Sequence, residues 1–260
     1  MPAPRIAVQL KCLKLPFAKA LAKVREMGVR AIEVDGRTGM RPEELSDTAL
    51  RQVRKLLTDH DLRVVAVEFP TRRGYGILDE LDRRVEATKA AMKMARSLGC
   101  DLVVNHVGFV PEDLTQGEGH VLVEVLRDLG HFSQHVGAWL AAETGAEPVD
   151  DLKRLIDALP PASLMVTLDP GTLVMNGHSP IEAIAKLGEE VRHVHVRDGV
   201  RDPGRRRGIE TSLGRGSVDF PELLGALQER DYRGYLSIER DGSDDPAVEI
   251  AQAVQYLSAL

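Results

Sequence analysis

Eight short runs rich in β-branched and apolar residues recur along the 260-residue chain, each followed by a longer stretch with helical spacing. The runs are RIAVQL, RAIEVD, LRVVAVEF, DLVVNHV, GAWLAAE, SLMVTLD, VRHVHVRD and YLSIER. The helical stretches begin with FAKALAKVREMG and end with DPAVEIAQAVQYLSAL. Strands joined through helices run parallel, because each crossover carries the chain back to the end of the sheet where it started. Eight such units in a chain of roughly 250 residues close most simply into an α/β fold, a single (β/α)8 barrel, with a doubly wound open sheet as the competing topology. No linker rich in Pro, Gly and Ser interrupts the rhythm, so residues 1–260 read as one barrel domain.

Local signals place several boundaries. Gly28 and Gly99 each follow a helical stretch and precede a strand, where glycine takes the left-handed conformation that ends a helix. Asp219 before FPELL reads as a helix N-cap rather than a catalytic acid. Lys and Arg number 34 against 40 Asp and Glu, a net charge of -6, which disfavours nucleic acid as a partner. Cys12 and Cys100 are far apart with no CxxC spacing, which points to reduced thiols and to neither a disulfide framework nor a Cys-based zinc site. The start MPAPRIAVQL lacks the pattern of a secretory leader, and no window reaches about 18 uninterrupted apolar residues. The expectation is a soluble, cytoplasmic protein without a membrane partner, its assembly into a homo-oligomer left open.

Barrel enzymes draw their chemistry from the C-terminal ends of the strands. The last four strands each end there in a residue able to bind a metal: Glu143, Asp169, His195 and Glu239. Residues two apart share a face of a strand. His193, His195 and Arg197 therefore point one way and Val194 and Val196 the other, while Glu239 shares its face with Ser237 and Tyr235. Three carboxylates aimed into one confined space repel one another and lose solvation, at several kcal/mol each. A divalent cation offsets that, and two Glu, one Asp and a neutral imidazole suit Mn2+, Mg2+ or Co2+, with Zn2+ also accommodated. Singly, each carboxylate could instead be a helix cap or a partner for Arg. His193, one layer deeper, reads as a hydrogen-bonded interior histidine rather than a ligand.

The series AAETG, TLDPG, HVHVRD and LGRGSVDFPELLGALQERDYRGYLSIER resembles the sugar phosphate isomerase/epimerase group of the xylose isomerase-like TIM barrels, across essentially the whole chain and most closely from residue 138 to 240. The resemblance implies one divalent metal on Glu143, Asp169, His195 and Glu239, with Glu143 and Glu239 also acting as acid and base. Arg201, six residues beyond His195, is similar in spacing to a substrate-contacting arginine, and His106 matches a further family position. Two departures stand out. Thr172 occupies the place of the histidine in the family's usual DxxH, and a threonine carries no proton near neutral pH. Glu68 stands where the related apurinic endonucleases would need a histidine, which disfavours a trinuclear phosphodiesterase.

The activity implied is metal-assisted proton abstraction beside a carbonyl of a small sugar, polyol or sugar phosphate, ending in epimerisation, isomerisation or dehydration. Gln9, Glu33, Glu68 and His106 are expected at the rim of the same cavity, holding substrate hydroxyls, although Glu33 could equally be buried in an ion pair with a neighbouring arginine. The arginines Arg201, Arg205, Arg206, Arg207 and Arg215 of the loop after strand 7 could hold a substrate phosphate, or form a solvated loop. An inosose-dehydratase-like lyase and a sugar-binding barrel without chemistry are the rival readings.

Overall fold

Parallel strands joined by crossover helices have no free edge only when the first pairs with the last, and here it does. In a computed structural model, which describes residues 4–202, 204 and 208–260, the chain closes into an eight-stranded parallel barrel. It runs β1 (Ile6–Gln9), α1 (Phe17–Glu26), β2 (Ala31–Asp35), α2 (Asp47–Asp59), β3 (Arg63–Glu68), α3 (Leu81–Leu98), β4 (Leu102–Asn105), α4 (Gly117–Val136), β5 (Trp139–Glu143), α5 (Val149–Asp157), β6 (Met165–Leu168), α6 (Pro170–Asn176), α7 (Pro180–Leu187), β7 (Val191–Val196), β8 (Asp198–Val200), β9 (Ile209–Thr211), α8 (Phe220–Glu229), β10 (Tyr235–Ile238) and α9 (Pro246–Ser258). Ala7 of β1 pairs with Ser237 of β10 and Val8 with Ile32 of β2, which excludes the open doubly wound sheet.

The two faces of the strands make two different interiors. Outward residues such as Val8, Ile32, Val194, Val196, Leu236 and Ile238 pack with the helices in one large apolar shell. Burying each such side chain contributes about 1.5–3 kcal/mol, which supports a polar upper barrel that would not hold together alone. Inside, the lower barrel is filled by Ala66, Leu102, Val104, Ala141 and Met165 with Trp139 against them. Above this layer the interior turns polar.

Helix ends follow their local chemistry. Asp219 caps α8 by accepting from Glu222 N at 3.0 Å, as its position before Phe-Pro requires. Gly28 and Gly99 adopt φ of 80° and 84° after α1 and α3. Two elements depart from the simple eight-unit rhythm. The short helix α6 is inserted directly after β6, and the run VRHVHVRD breaks after Val196, so that β8 turns out of the barrel to form an antiparallel ribbon with β9.

The ribbon is organised by one buried acid. The Asp198 carboxylate accepts from the backbone N–H groups of Gly199, Gly214, Gly216 and Val218, between 2.8 and 3.2 Å. The approach is close enough that a Cβ at Gly216 would lie 2.1 Å from Asp198 Oδ1, so the position takes only glycine. Among the described residues no helix is long and apolar enough to cross a membrane. Cys12 and Cys100 are buried and free.

Candidate metal centre

Inward positions alternate along each strand and end in a polar group at the C-terminal mouth. They run Leu102, Val104, His106; Trp139, Ala141, Glu143; Met165, Thr167, Asp169; His193, His195, Arg197; and Tyr235, Ser237, Glu239. One donor atom from each of Glu143, Asp169, His195 and Glu239 lies within 4.8 Å of the others. Asp169 and His195 are fully buried and Glu239 nearly so.

The donor set fits a divalent cation. Glu239 Oε2 is buried without a hydrogen-bond partner. The adjacent His195 Nδ1, at 3.1 Å, already lies 2.8 Å from Glu143 Oε1. A buried acceptor left unmatched costs about 1–3 kcal/mol, and an ion among these four donors removes that penalty. Three carboxylates and one imidazole could hold Mn2+, Mg2+, Co2+ or Zn2+.

Behind the imidazole sits Glu33, with His195 Nε2 3.0 Å from its Oε1 and His193 Nε2 2.8 Å from its Oε2. A carboxylate accepting from Nε2–H leaves the Nδ1 lone pair facing the site. Asp169 serves two purposes. It caps α6 through Thr172 N at 2.7 Å, and its second oxygen accepts from Thr172 Oγ1 at 2.6 Å. The helix-cap alternative for this aspartate is thus realised together with its place among the four donors.

Two cations share the mouth with the acids. Arg197 Nη2 lies 2.5 Å from Glu239 Oε1 and 2.9 Å from Asp241 Oδ2, and its Nη1 lies 3.3 Å from Asp169 Oδ2. Lys11 Nζ lies 2.7 Å from Glu68 Oε1 and 3.7 Å from Glu239 Oε1. The local field follows. Burial favours a neutral Glu143, but His195 and His106 outweigh it and hold this carboxyl well below its usual range. Burial also opposes a charge on His195, yet Glu33, Glu239 and Glu143 raise it well above an ordinary histidine. Burial pushes Asp169 up to about 6 against the pull of Arg197, and Glu68 up to about 7 against that of Lys11.

A cavity of about 600 Å3 opens beside this cluster, with Glu143, His106, Thr172 and Arg197 in its wall. Its far side is built by the loops after β3 and β4, which touch at two glycines: a Cβ on Gly74, at φ 63°, would lie 2.3 Å from Gly108 Cα. The contact sets Arg72, Arg73, Ile77 and Phe109 along that wall.

Of the residues expected at the rim, His106 is there, its Nε2 2.6 Å from Glu143 Oε2. Glu33 is not: it is fully buried beneath His195, and its partners are the imidazoles of His193 and His195 rather than the arginine that the ion-pair alternative named. Glu68 and Gln9 are also buried rather than on the cavity wall, Gln9 Nε2 donating to Glu68 at 3.1 Å and Lys11 Nζ at 2.7 Å. Arg201 is exposed away from the cavity wall, its guanidinium against Gly177 at the end of α6. Arg205, Arg206 and Arg207 lie outside the described residues. Sequence reasoning named Arg197 only as an inward residue and did not single out Lys11. Alternation gave the direction of Arg197, but its acidic partners come from β6 and β10, remote in sequence.

Comparison with known proteins places this geometry. A family model described as xylose isomerase-like TIM barrel matches residues 21–260. The chain belongs to that family. Among curated relatives, an inosose dehydratase of Geobacillus kaustophilus (strain HTA426) is 29% identical over 152 residues, covering 52% of this chain and 49% of the relative. The chain therefore matches about half the length of that dehydratase. Among solved structures, a xylose isomerase domain protein from Planctomyces limnophilus has a TM-score of 0.85 at 26% identity, covering 99% of this chain and 96% of the other. A xylose isomerase-like TIM barrel protein from Mycobacterium smegmatis, in complex with magnesium, has a TM-score of 0.78 at 22% identity and covers 99% of this chain and 96% of its own, a likeness of fold. Within this xylose isomerase-like barrel, Thr172 and Arg197 line the cavity beside the four donors.

Proposed function

We propose that this protein is a divalent-metal-dependent enzyme that removes the proton beside a carbonyl of a small sugar or polyol and returns it as an isomerase or epimerase. The observation that carries the reading is the convergence of one donor atom from each of four residues within 4.8 Å, with Glu239 Oε2 buried beside them and without a hydrogen bond. When bound, the ion polarises the substrate carbonyl and stabilises the negative charge left by proton loss. The magnesium held by the Mycobacterium smegmatis relative supports an ion of this kind.

Of the four donors, Glu143 is the one in the cavity wall, so it is the group placed to take the proton. His106, hydrogen-bonded to Glu143 and half exposed, passes that proton on or steadies a substrate hydroxyl. Arg197 and Thr172 reach the same cavity and orient oxygens of the substrate. Glu239 sits behind Arg197 and acts as the partner acid once substrate displaces that contact. The space beside the cluster suits one small carbohydrate. Buried free thiols fit a reducing, cytoplasmic setting.

Dehydration is the second reading, supported by the 29% identity with an inosose dehydratase. It shares the first step and differs in the fate of the neighbouring hydroxyl. Incubating the metal-loaded protein with ketoses and inososes in deuterated water separates the outcomes by mass spectrometry. A deuterium gained without loss of water supports epimerisation or isomerisation, and loss of water supports the lyase. No exchange and no product with any substrate of either class would overturn the catalytic reading.

A further inference from the structure

The N-terminal mouth of the barrel, opposite the metal centre, holds a second cavity of about 670 Å3. Arg5 lies just before β1, Arg63 starts β3, Arg96 is on α3 and Arg192 is the second residue of β7, and all four are exposed at this cavity. Several other surface arginines find acids close by, as Arg41 does with Glu44, Arg83 with Glu80 and Arg154 with Asp151. These four make no ion pair with any described residue. Arg5 donates to the Arg233 carbonyl at 2.9 Å and lies over the Tyr235 ring at 4.0 Å, and Arg192 donates to the Glu189 carbonyl at 2.7 Å. Each keeps further N–H donors for a ligand.

Among the described residues that line the cavity, four are arginines and one, Asp101, carries a carboxylate. The floor is apolar and partly aromatic, formed by Leu102, Met165, Trp139 and Tyr235. His193, at the inner end, is committed to Glu33 and separates this space from the metal centre.

We infer that this mouth is a second binding site, for a small phosphorylated metabolite whose phosphates are held by the arginines while its body rests on Trp139. Guanidinium forks match phosphate oxygens two at a time, and a cavity of this size takes a small molecule rather than a polymer. The site is separate from the sugar site and does not depend on the reaction proposed there.

Trp139 is the chain's only tryptophan, so its fluorescence reports directly on this cavity. The test titrates the full-length protein with inorganic pyrophosphate in buffer free of divalent cations, with potassium chloride at matched ionic strength as reference. The inference requires a saturable change with pyrophosphate and none with chloride. Arg63→Ala combined with Arg192→Ala should weaken it about tenfold or more, two charge-assisted contacts being lost. Arg127→Ala, on the remote surface of α4, should leave it unchanged. Both cavity arginines are exposed, and a thermal melt of the double variant matching wild type confirms its fold. A linear response, the same response to chloride, or equal affinity in the folded double variant would overturn the inference.

Discussion

His195 Nε2 lies 3.0 Å from Glu33 Oε1, and the opposite ring nitrogen therefore faces Glu143 at 2.8 Å. The buried glutamate fixes which nitrogen is offered to a metal. Replacing it by an isosteric amide, Glu33→Gln, removes the charge that holds the ring while preserving its volume. Metal affinity should fall about 10–100-fold, as for other carboxylates that orient a histidine ligand. Calorimetric titration with Mn2+ checks this, and an unchanged affinity would show that Glu33 is only structural.

The metal-free protein should become more stable on mild acidification. Asp169 is raised from 3.8 to about 6 and Glu68 from 4.5 to about 7, both mainly by burial. Between those limits the folded state binds protons that the unfolded chain does not, so stability grows as pH falls through about 7 toward 5. His195, raised by its acidic neighbours, acts in the same sense, its stabilisation being lost as pH rises. Melting temperature without metal should be several degrees higher at pH 5.5 than at pH 8, and saturating Mn2+ should reverse the order because the ligands must be deprotonated. A metal-free protein that melts higher at pH 8 contradicts the assignment.

Arg197 neutralises the acids when no ion does. The loss of its contacts with Glu239 and Asp169 leaves those buried carboxylates unbalanced if it is removed. Arg197→Gln should lower the stability of the metal-free protein by about 3 kcal/mol, the usual consequence of breaking a buried pair. Mn2+ should then raise the melting temperature of the variant more than that of wild type. Equal metal-induced shifts in the two proteins would mean that Arg197 and the ion do not share these carboxylates.

Asp198 carries a purely structural prediction. Asp198→Ala orphans four backbone N–H groups in the β8–β9 region, at about 1–3 kcal/mol for each that water cannot reach. Chemical denaturation should register a loss of about 3 kcal/mol or more. A loss below about 1 kcal/mol would mean that solvent replaces the carboxylate.

Much of this was legible because the two-residue period of the strands runs unbroken into the residues that do chemistry. Ser237 and Glu239 inherit one direction from Tyr235, and His195 and Arg197 from His193, so the donors could be named from their strands. Depth was not legible. Glu33 and Glu143 read alike as acids near strand ends, but Glu33 is bound by histidines 160 and 162 residues away and lies under the site. Pairing slips between Ile32 and Glu33 and between Val166 and Thr167, and such shifts in register are invisible to a strand read alone. Helix α6 left a readable trace, an Asp followed by Pro, which is also how α9 begins, while α8 has Phe220 between its capping Asp219 and the proline. The ribbon β8–β9 left none, since it depends on one carboxylate gathering amides from across a loop.

The central claim is that Glu143, Asp169, His195 and Glu239 share one ion. Titrating metal-stripped protein with Mn2+ by calorimetry tests it most directly, with Asp169→Asn and Glu239→Gln measured beside wild type. The account requires one ion per chain and at least about a hundredfold weaker binding in each variant, since each loses a charged ligand. No saturable binding to wild type, or equal binding by both variants, would contradict it.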